Sequence, residues 1–118
     1  MSGEFNISTE IFDKTLVLRT EGYINNVAGE KISQIFSSDP NTGIRNAVFD
    51  LEKSKVINSI GISYLLEVVE LLSERNGKII FLNLDPSIEK TFKIMGLLQF
   101  AEIAESLDSA LQVLNCVN

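Results

Sequence analysis

The sequence predicts an α/β domain built on one mixed β-sheet, with an N-terminal hairpin and about four helices. Three observations carry that prediction. The chain opens with two segments in which apolar and polar residues alternate on either side of Asp13-Lys14. Two short apolar runs follow, Ala47-Val48-Phe49 and Ile79-Ile80-Phe81-Leu82, each unbroken and rich in β-formers. Between and after them, apolar residues recur at helical spacing. Strands that alternate with helices after an opening hairpin call for parallel neighbours joined by right-handed crossovers, which makes the sheet mixed.

Taken in order, Phe5, Ile7 and Ile11, then Leu16 and Leu18 beyond the turn, form the hairpin. After Gly22, Asn25 or Asn26 can cap a helix whose Ala28, Ile32, Ile35 and Phe36 share a face. Gly29 predicts that this helix is short and frayed, because glycine costs about 1 kcal/mol relative to alanine in a helix interior. Ser37 to Gly43, around Pro40, is a loop of turn formers. Ala47 to Phe49 suits a buried strand that ends at Asp50. Ile62, Leu65, Leu66, Val69 and Leu72 then keep one helix face against a core, and Asn76-Gly77 offers a left-handed stop. Lys78 to Leu82 is a second buried strand. Asp85-Pro86 opens a helix by the cap-then-proline rule, with Ile88, Phe92 and Met95 inward and Gly96 ending it. Phe100 to Ala104 forms a short edge strand, and Ser106 caps a last helix carrying Leu107, Ala110, Leu111 and Leu114 on one face.

The stretch from Phe49 to Glu74 concentrates the functional signal. Its apolar run breaks at Asn58-Ser59-Ile60-Gly61 and resumes with helical spacing. Asn58 or Ser59 can cap the helix, because a short side-chain oxygen accepts from a backbone N–H that lacks an intrahelical partner. A serine at a helix start also tolerates a phosphate, whose charge the dipole and free amides favour. Asp50 to Ser59 is a loop at a strand carboxyl end, where such sheets carry function. Ser63, Glu67, Glu70 and Glu74 line up from Ser59 down the solvent side of the helix. Beside an apolar start such as Ile60, these acids either form a solvated face or steer a basic partner.

Asp50-Leu51, then Val56-Ile57-Asn58-Ser59-Ile60-Gly61-Ile62, resembles the signature of the STAS domain, specifically the small bacterial anti-sigma-factor antagonists. Gly22-Tyr23-Ile24-Asn25 and Phe92-Lys93-Ile94-Met95-Gly96-Leu97 extend the likeness over nearly the whole chain. The resemblance implies a single STAS domain over 4–115, with the family's phosphorylated serine falling on Ser59. Asn58 stands where the family has aspartate, Ile60 where it has a small residue, and Asn25 where many members have aspartate. The implied partner-binding residues are Asn25, Asp50, Asn58, Ile60, Gly61, Ile62, Ser63 and Glu67. The implied partners are an anti-sigma factor that is also a serine kinase of the histidine-kinase-like ATPase fold, and a phosphatase. The alternative is a STAS interaction module of a larger signalling or transporter assembly, without a phosphorylation switch.

Composition narrows the remaining classes. With 118 residues and 45% hydrophobic content, the chain buries roughly two-thirds of its unfolded surface in one core. A net charge of −6 without a basic cluster argues against nucleic acid, whose affinity rests on phosphate neutralisation. No histidine is present and Cys116 is the single cysteine, which removes the usual metal ligands and general bases, so no metal, cofactor or catalytic residue is expected. A receiver-type phosphotransfer domain needs an acidic pair after its first strand, and Ile7 to Asp13 supplies no such pair after an apolar strand. Neither nucleotide-binding glycine motif occurs. No apolar run approaches the roughly 18 residues of a membrane span, so a cytoplasmic, non-enzymatic protein is expected.

Overall fold

Asp13 and Lys14 turn the chain between β1 (Asn6–Phe12) and β2 (Thr15–Glu21), with Asp13 in the left-handed region at φ 57°. The structure, a computed structural model, describes residues 5–37 and 43–114. The loop around Pro40, Cys116 and both ends of the 4–115 domain lie outside the described residues. The chain continues through α1 (Asn26–Ser37), β3 (Asn46–Lys53), α2 (Ser59–Glu74), β4 (Ile79–Leu82) and α3 (Pro86–Met95). A 3-10 turn (Leu97–Gln99), β5 (Ala101–Ala104) and α4 (Leu107–Val113) complete it. The sheet order is β1-β2-β3-β4-β5, antiparallel at the hairpin and parallel from β2 onward. This is the expected mixed α/β sheet.

Helices cover both faces, which is why β3 and β4 read as unbroken apolar runs. Leu16, Leu18, Ala47, Phe49, Ile79 and Phe81 point to the face packed by α1, α2 and α3. Val17, Val48, Ile80 and Leu82 point to the other, where Ala110 of α4 covers them. Through the larger core runs a chain of rings, Phe36–Phe49–Phe81–Phe92, with successive centroids 5.8, 5.3 and 5.0 Å apart. It ties α1, β3, β4 and α3 together.

Two local expectations, at the end of β3 and at Met95, need correction. β3 does not end at Asp50 but runs on to Lys53, since its pairing with β2 extends to Glu21 opposite Lys53. Met95 is 48% exposed, because α3 turns its inward face through Ile88 and Phe92 and ends at Gly96 (φ 85°) before another turn can bury it. The left-handed stop expected at Asn76-Gly77 is present at the end of α2, where Asn76 takes the left-handed conformation, at φ 61°. The N–H groups of Asn76 and Gly77 then donate to the carbonyls of Ser73 (3.0 Å) and Leu72 (2.8 Å), a complete Schellman motif. Gly77 is required for a different reason: a Cβ there would overlap the Arg45 carbonyl oxygen.

Gly29 does not fray α1, which runs for 12 residues with Gly29 buried in it. The glycine faces α2, where a Cβ would lie 2.6 Å from Cδ2 and 2.9 Å from Cβ of Tyr64. Helix propensity and packing therefore predict opposite signs for Gly29→Ala. Propensity alone gives a gain of about 1 kcal/mol, whereas overpacking costs about 1–3 kcal/mol. The Tyr64 Cβ cannot swing away as a ring can, so net destabilisation is expected. Denaturant unfolding of the variant checks it; a stabilised protein would show that the helices separate freely.

Candidate functional site

β2 and β3 leave the sheet side by side, and their pairing does not stop where the strands do. The Gly22 N–H donates to the Lys53 carbonyl (3.0 Å) and the Ile24 N–H to that of Val56 (3.0 Å). The Asn58 N–H returns a bond to the Ile24 carbonyl (3.1 Å), closing an isolated parallel bridge between Ile24 and Ile57. Beneath, the buried hydroxyls of Thr20 and Ser54 meet at 2.7 Å. A hydroxyl pair in a dry site satisfies two groups that would each cost about 1–3 kcal/mol unpaired.

This ladder delivers two helices to one edge. Asn25 Oδ1 accepts from the Ala28 N–H (3.0 Å) at the start of α1, and Asn58 Oδ1 from the Gly61 N–H (2.7 Å) at the start of α2. Both asparagines are therefore N-caps. The choice between Asn58 and Ser59 as cap falls to Asn58, which leaves Ser59 as the first helical residue, exposed and with no described hydrogen-bond partner for its hydroxyl. Ser63, one turn on, donates its hydroxyl to the Ser59 carbonyl (3.0 Å). Glu67, Glu70 and Glu74 continue down an exposed face.

Around Ser59 the edge is apolar. Ile60 is exposed, and so are Tyr23, Val27 and Val56, which sequence reasoning missed. Tyr23 and Val56 sit on the two paired loops; Val27 and Ile60 occupy the second helical position of α1 and α2. A signal was present in the sequence, since Val27 and Ile60 are large apolar residues out of phase with the core stripe of their own helices.

Asp50 does not join this edge. It alternates with Phe49 and Leu51 and so projects to the opposite face of the sheet, where its side chain is only 16% exposed. There it accepts from Asn83 Nδ2 (3.0 Å) and the Glu52 N–H (3.1 Å) and lies 3.8 Å from Arg19 Nε. Arg19 in turn bonds Glu10 (3.0 Å). The arrangement binds β1, β2 and β3 together across their back face. Among the described residues no group of three or more potential ligands could hold a metal ion, and no helix is long and apolar enough to cross a membrane.

The STAS domain profile matches residues 6–110. BtrV of Bordetella bronchiseptica, provisionally described as an anti-sigma factor antagonist, is 25% identical over 104 residues, covering 88% of this chain and 90% of its own. Among solved structures, the anti-sigma factor antagonist SpoIIAA in its unphosphorylated form superposes with a TM-score of 0.75 at 19% identity, over 97% of this chain and 100% of that one. The phosphorylated form of the Bacillus protein gives 0.74 at 24%, over 92% and 99%. An anti-sigma factor antagonist from Mycobacterium paratuberculosis gives 0.80 at 20%, over 98% and 99%.

Two residues expected at a partner surface are inside the domain. Ile62 is buried in the main core, one turn before Leu65 and Leu66. Gly61 is buried as well, and a Cβ there would strike the Ile24 carbonyl oxygen, the acceptor of the Asn58 N–H. Its collision partner is thus the domain's own backbone, not another protein. Gly61→Val should lower unfolding free energy by about 3 kcal/mol, at the upper end for overpacking, or roughly 10 °C in Tm. Thermal denaturation checks it, and an unchanged melting temperature would mean that the loop yields at no cost.

Proposed function

The chain belongs to the STAS domain family, and from that membership and the site's geometry we propose that it is an anti-sigma-factor antagonist switched at Ser59. Unphosphorylated, it binds an anti-sigma factor that is also a serine kinase of the histidine-kinase-like ATPase fold, and so frees a sigma factor. The kinase then uses ATP on its bound partner: the Ser59 oxygen attacks the γ-phosphorus, the bond to the ADP oxygen breaks, and the hydroxyl proton passes to a base on the kinase. A phosphatase restores the binding form. The single observation that carries this reading is the Ser59 hydroxyl itself, exposed and uncommitted at the first position of α2 because Asn58 has taken the cap. The neighbouring serines are poorer acceptors. Ser54 is fully buried against Thr20, and the Ser63 hydroxyl is engaged with the Ser59 carbonyl. The names of BtrV and of SpoIIAA, the latter solved with and without phosphate, support the same reading.

The exposed Tyr23, Val27, Val56 and Ile60 give such a partner an apolar surface to cover, with Asn25, Asn58 and Ser63 as polar contacts among them. Glu67, Glu70 and Glu74 suit the approach of a basic surface. Phosphate on Ser59 acts by exclusion, not by refolding. The first N–H groups of α2 can stabilise about −1.5 to −2 added charges where they stand. The cost falls on docking, when that charge must lose water inside an apolar interface. Like-charge and desolvation terms of about 3 kcal/mol weaken binding roughly a hundredfold.

Incubation with the serine kinase that co-purifies with this chain, and ATP, tests the assignment. Ser59→Ala should bind and resist labelling, phosphorylation should weaken binding by about a hundredfold, and Ser59→Asp should reproduce part of that loss with its smaller charge. Amide chemical shifts should change only around Ile57 to Ser63. Labelling that persists in Ser59→Ala would remove the phosphoacceptor, and shifts spread through the sheet would refute exclusion. A partner that binds without ever labelling Ser59 would leave an interaction module without a switch.

A further inference from the structure

Ser59 follows the carboxyl end of β3, and the opposite pole of the domain, at the amino ends of the parallel strands, gathers positive charge. Lys14 directly precedes β2, Arg45 directly precedes β3, and Arg75 caps the carboxyl end of α2 ahead of β4. With Gly43 and Ile44 these three line one open cavity of about 360 Å³, and no acidic side chain lines it among the described residues. The main chain fixes the convergence. The Lys14 carbonyl accepts from the N–H groups of both Arg45 (2.8 Å) and Asn46 (3.1 Å), and the Ile44 carbonyl accepts from Arg75 Nη1 (2.9 Å). Gly77 lets the Arg45 carbonyl lie against the end of α2, where a Cβ would overlap it. The sequence contains no basic run, so this cluster exists only in the fold.

We propose that this pole binds a compact oxyanion, the phosphate or diphosphate group of a small molecule. The ion pairs among the described residues are those of Arg19 with Glu10 and Asp50 and of Lys93 with Glu89, so none neutralises the cluster. Asp13 and Glu74 adjoin Lys14 and Arg75 in sequence, yet neither pairs with any of the three. The negative end of α2 accounts for Arg75. It does not account for Lys14 and Arg45, whose charges stay uncompensated in a chain with 16 acidic residues to 10 basic ones. Like charges set around a concavity focus their field on it. Two guanidinium groups supply planar donor forks that match phosphate oxygens, and the lysine adds a point charge. The cavity lies within the size range of small-molecule sites. A nucleic-acid backbone would need a track of such sites, and a net charge of −6 opposes it. The site uses none of the residues around Ser59, so an anion here and a partner there can be held together.

Titration of the full chain with pyrophosphate at constant ionic strength, followed by amide chemical shifts, tests this. Saturable shifts are expected at Arg45, Asn46 and Gly77, half-complete at or below about a millimolar, while the amides around Ser59 stay in place. Lys14→Gln and Arg45→Gln should each weaken binding about tenfold, and Arg45→Lys, which keeps the charge but not the fork, by less. Both side chains are exposed and make no described hydrogen bond, so these variants should melt with the parent protein. Shifts that grow without saturating, or that chloride reproduces at the same ionic strength, would overturn the proposal. So would binding indifferent to both glutamine variants, or shifts centred on Ser59. A response to a polyglutamate peptide but not to pyrophosphate would overturn it as well, since the cluster would then take an acidic chain.

Discussion

The main chain of Ile24 is the constraint on which the site depends. Its N–H is held by Val56, its carbonyl receives Asn58, and its side chain is fully buried in the main core. One residue therefore ties both loops to each other and to the interior. The residues that cap α1 and α2 stand at fixed places on this bridge: Asn25 follows Ile24 directly, and Asn58 follows its partner Ile57. Gly61 belongs to the same constraint, because any side chain there would displace the carbonyl that Asn58 requires. The bridge, the two caps and the glycine are one arrangement, and the position of Ser59 is its product.

That arrangement sits on closely packed parts of the domain. Beneath it lie the Thr20–Ser54 hydroxyl pair and the ring chain from Phe36 to Phe92, and behind the sheet lie Arg19 and Asp50. Close-packed interiors resist gradual deformation. A charge added at an exposed hydroxyl on the first helical position touches none of these groups. Its effect must be felt by whatever approaches the edge, which is the property expected of a switch read by a partner.

Most of the fold was legible because period and punctuation agree. Alternation marked the hairpin, Asp85-Pro86 and Gly96 bracketed α3, and Ser106 capped α4, as the sequence reading expected. The failures share a cause: local signals were read without knowing what lay across from them. Gly29 looked like a weak helical residue, but Tyr64 fills the space a side chain would need. Asp50 looked like the start of a functional loop, but alternation along a strand longer than its apolar core turned it to the back face. Gly61 and Ile62 lie within the motif that marks the site, yet both face inward, so a linear motif mixed residues that present the site with residues that support it. Tyr23 and Val56 were invisible for the converse reason, since only the bridge at Ile24 brings their loops together.

The two caps also set the electrostatics of the edge. Asparagine satisfies a first-turn N–H as well as aspartate does but adds no charge, so α1 and α2 both begin with their positive ends uncompensated. On α2, the nearest acidic side chain after Ser59 is Glu67, two turns away. An aspartate at position 58 would place a permanent carboxylate beside the serine and draw on the same field that stabilises a phosphate. With Asn58 in its place, neither cap adds a carboxylate to the apolar edge, which favours its burial in an interface. A phosphate on Ser59 would then supply nearly all the negative charge there, so the contrast between the two states rests on that one group.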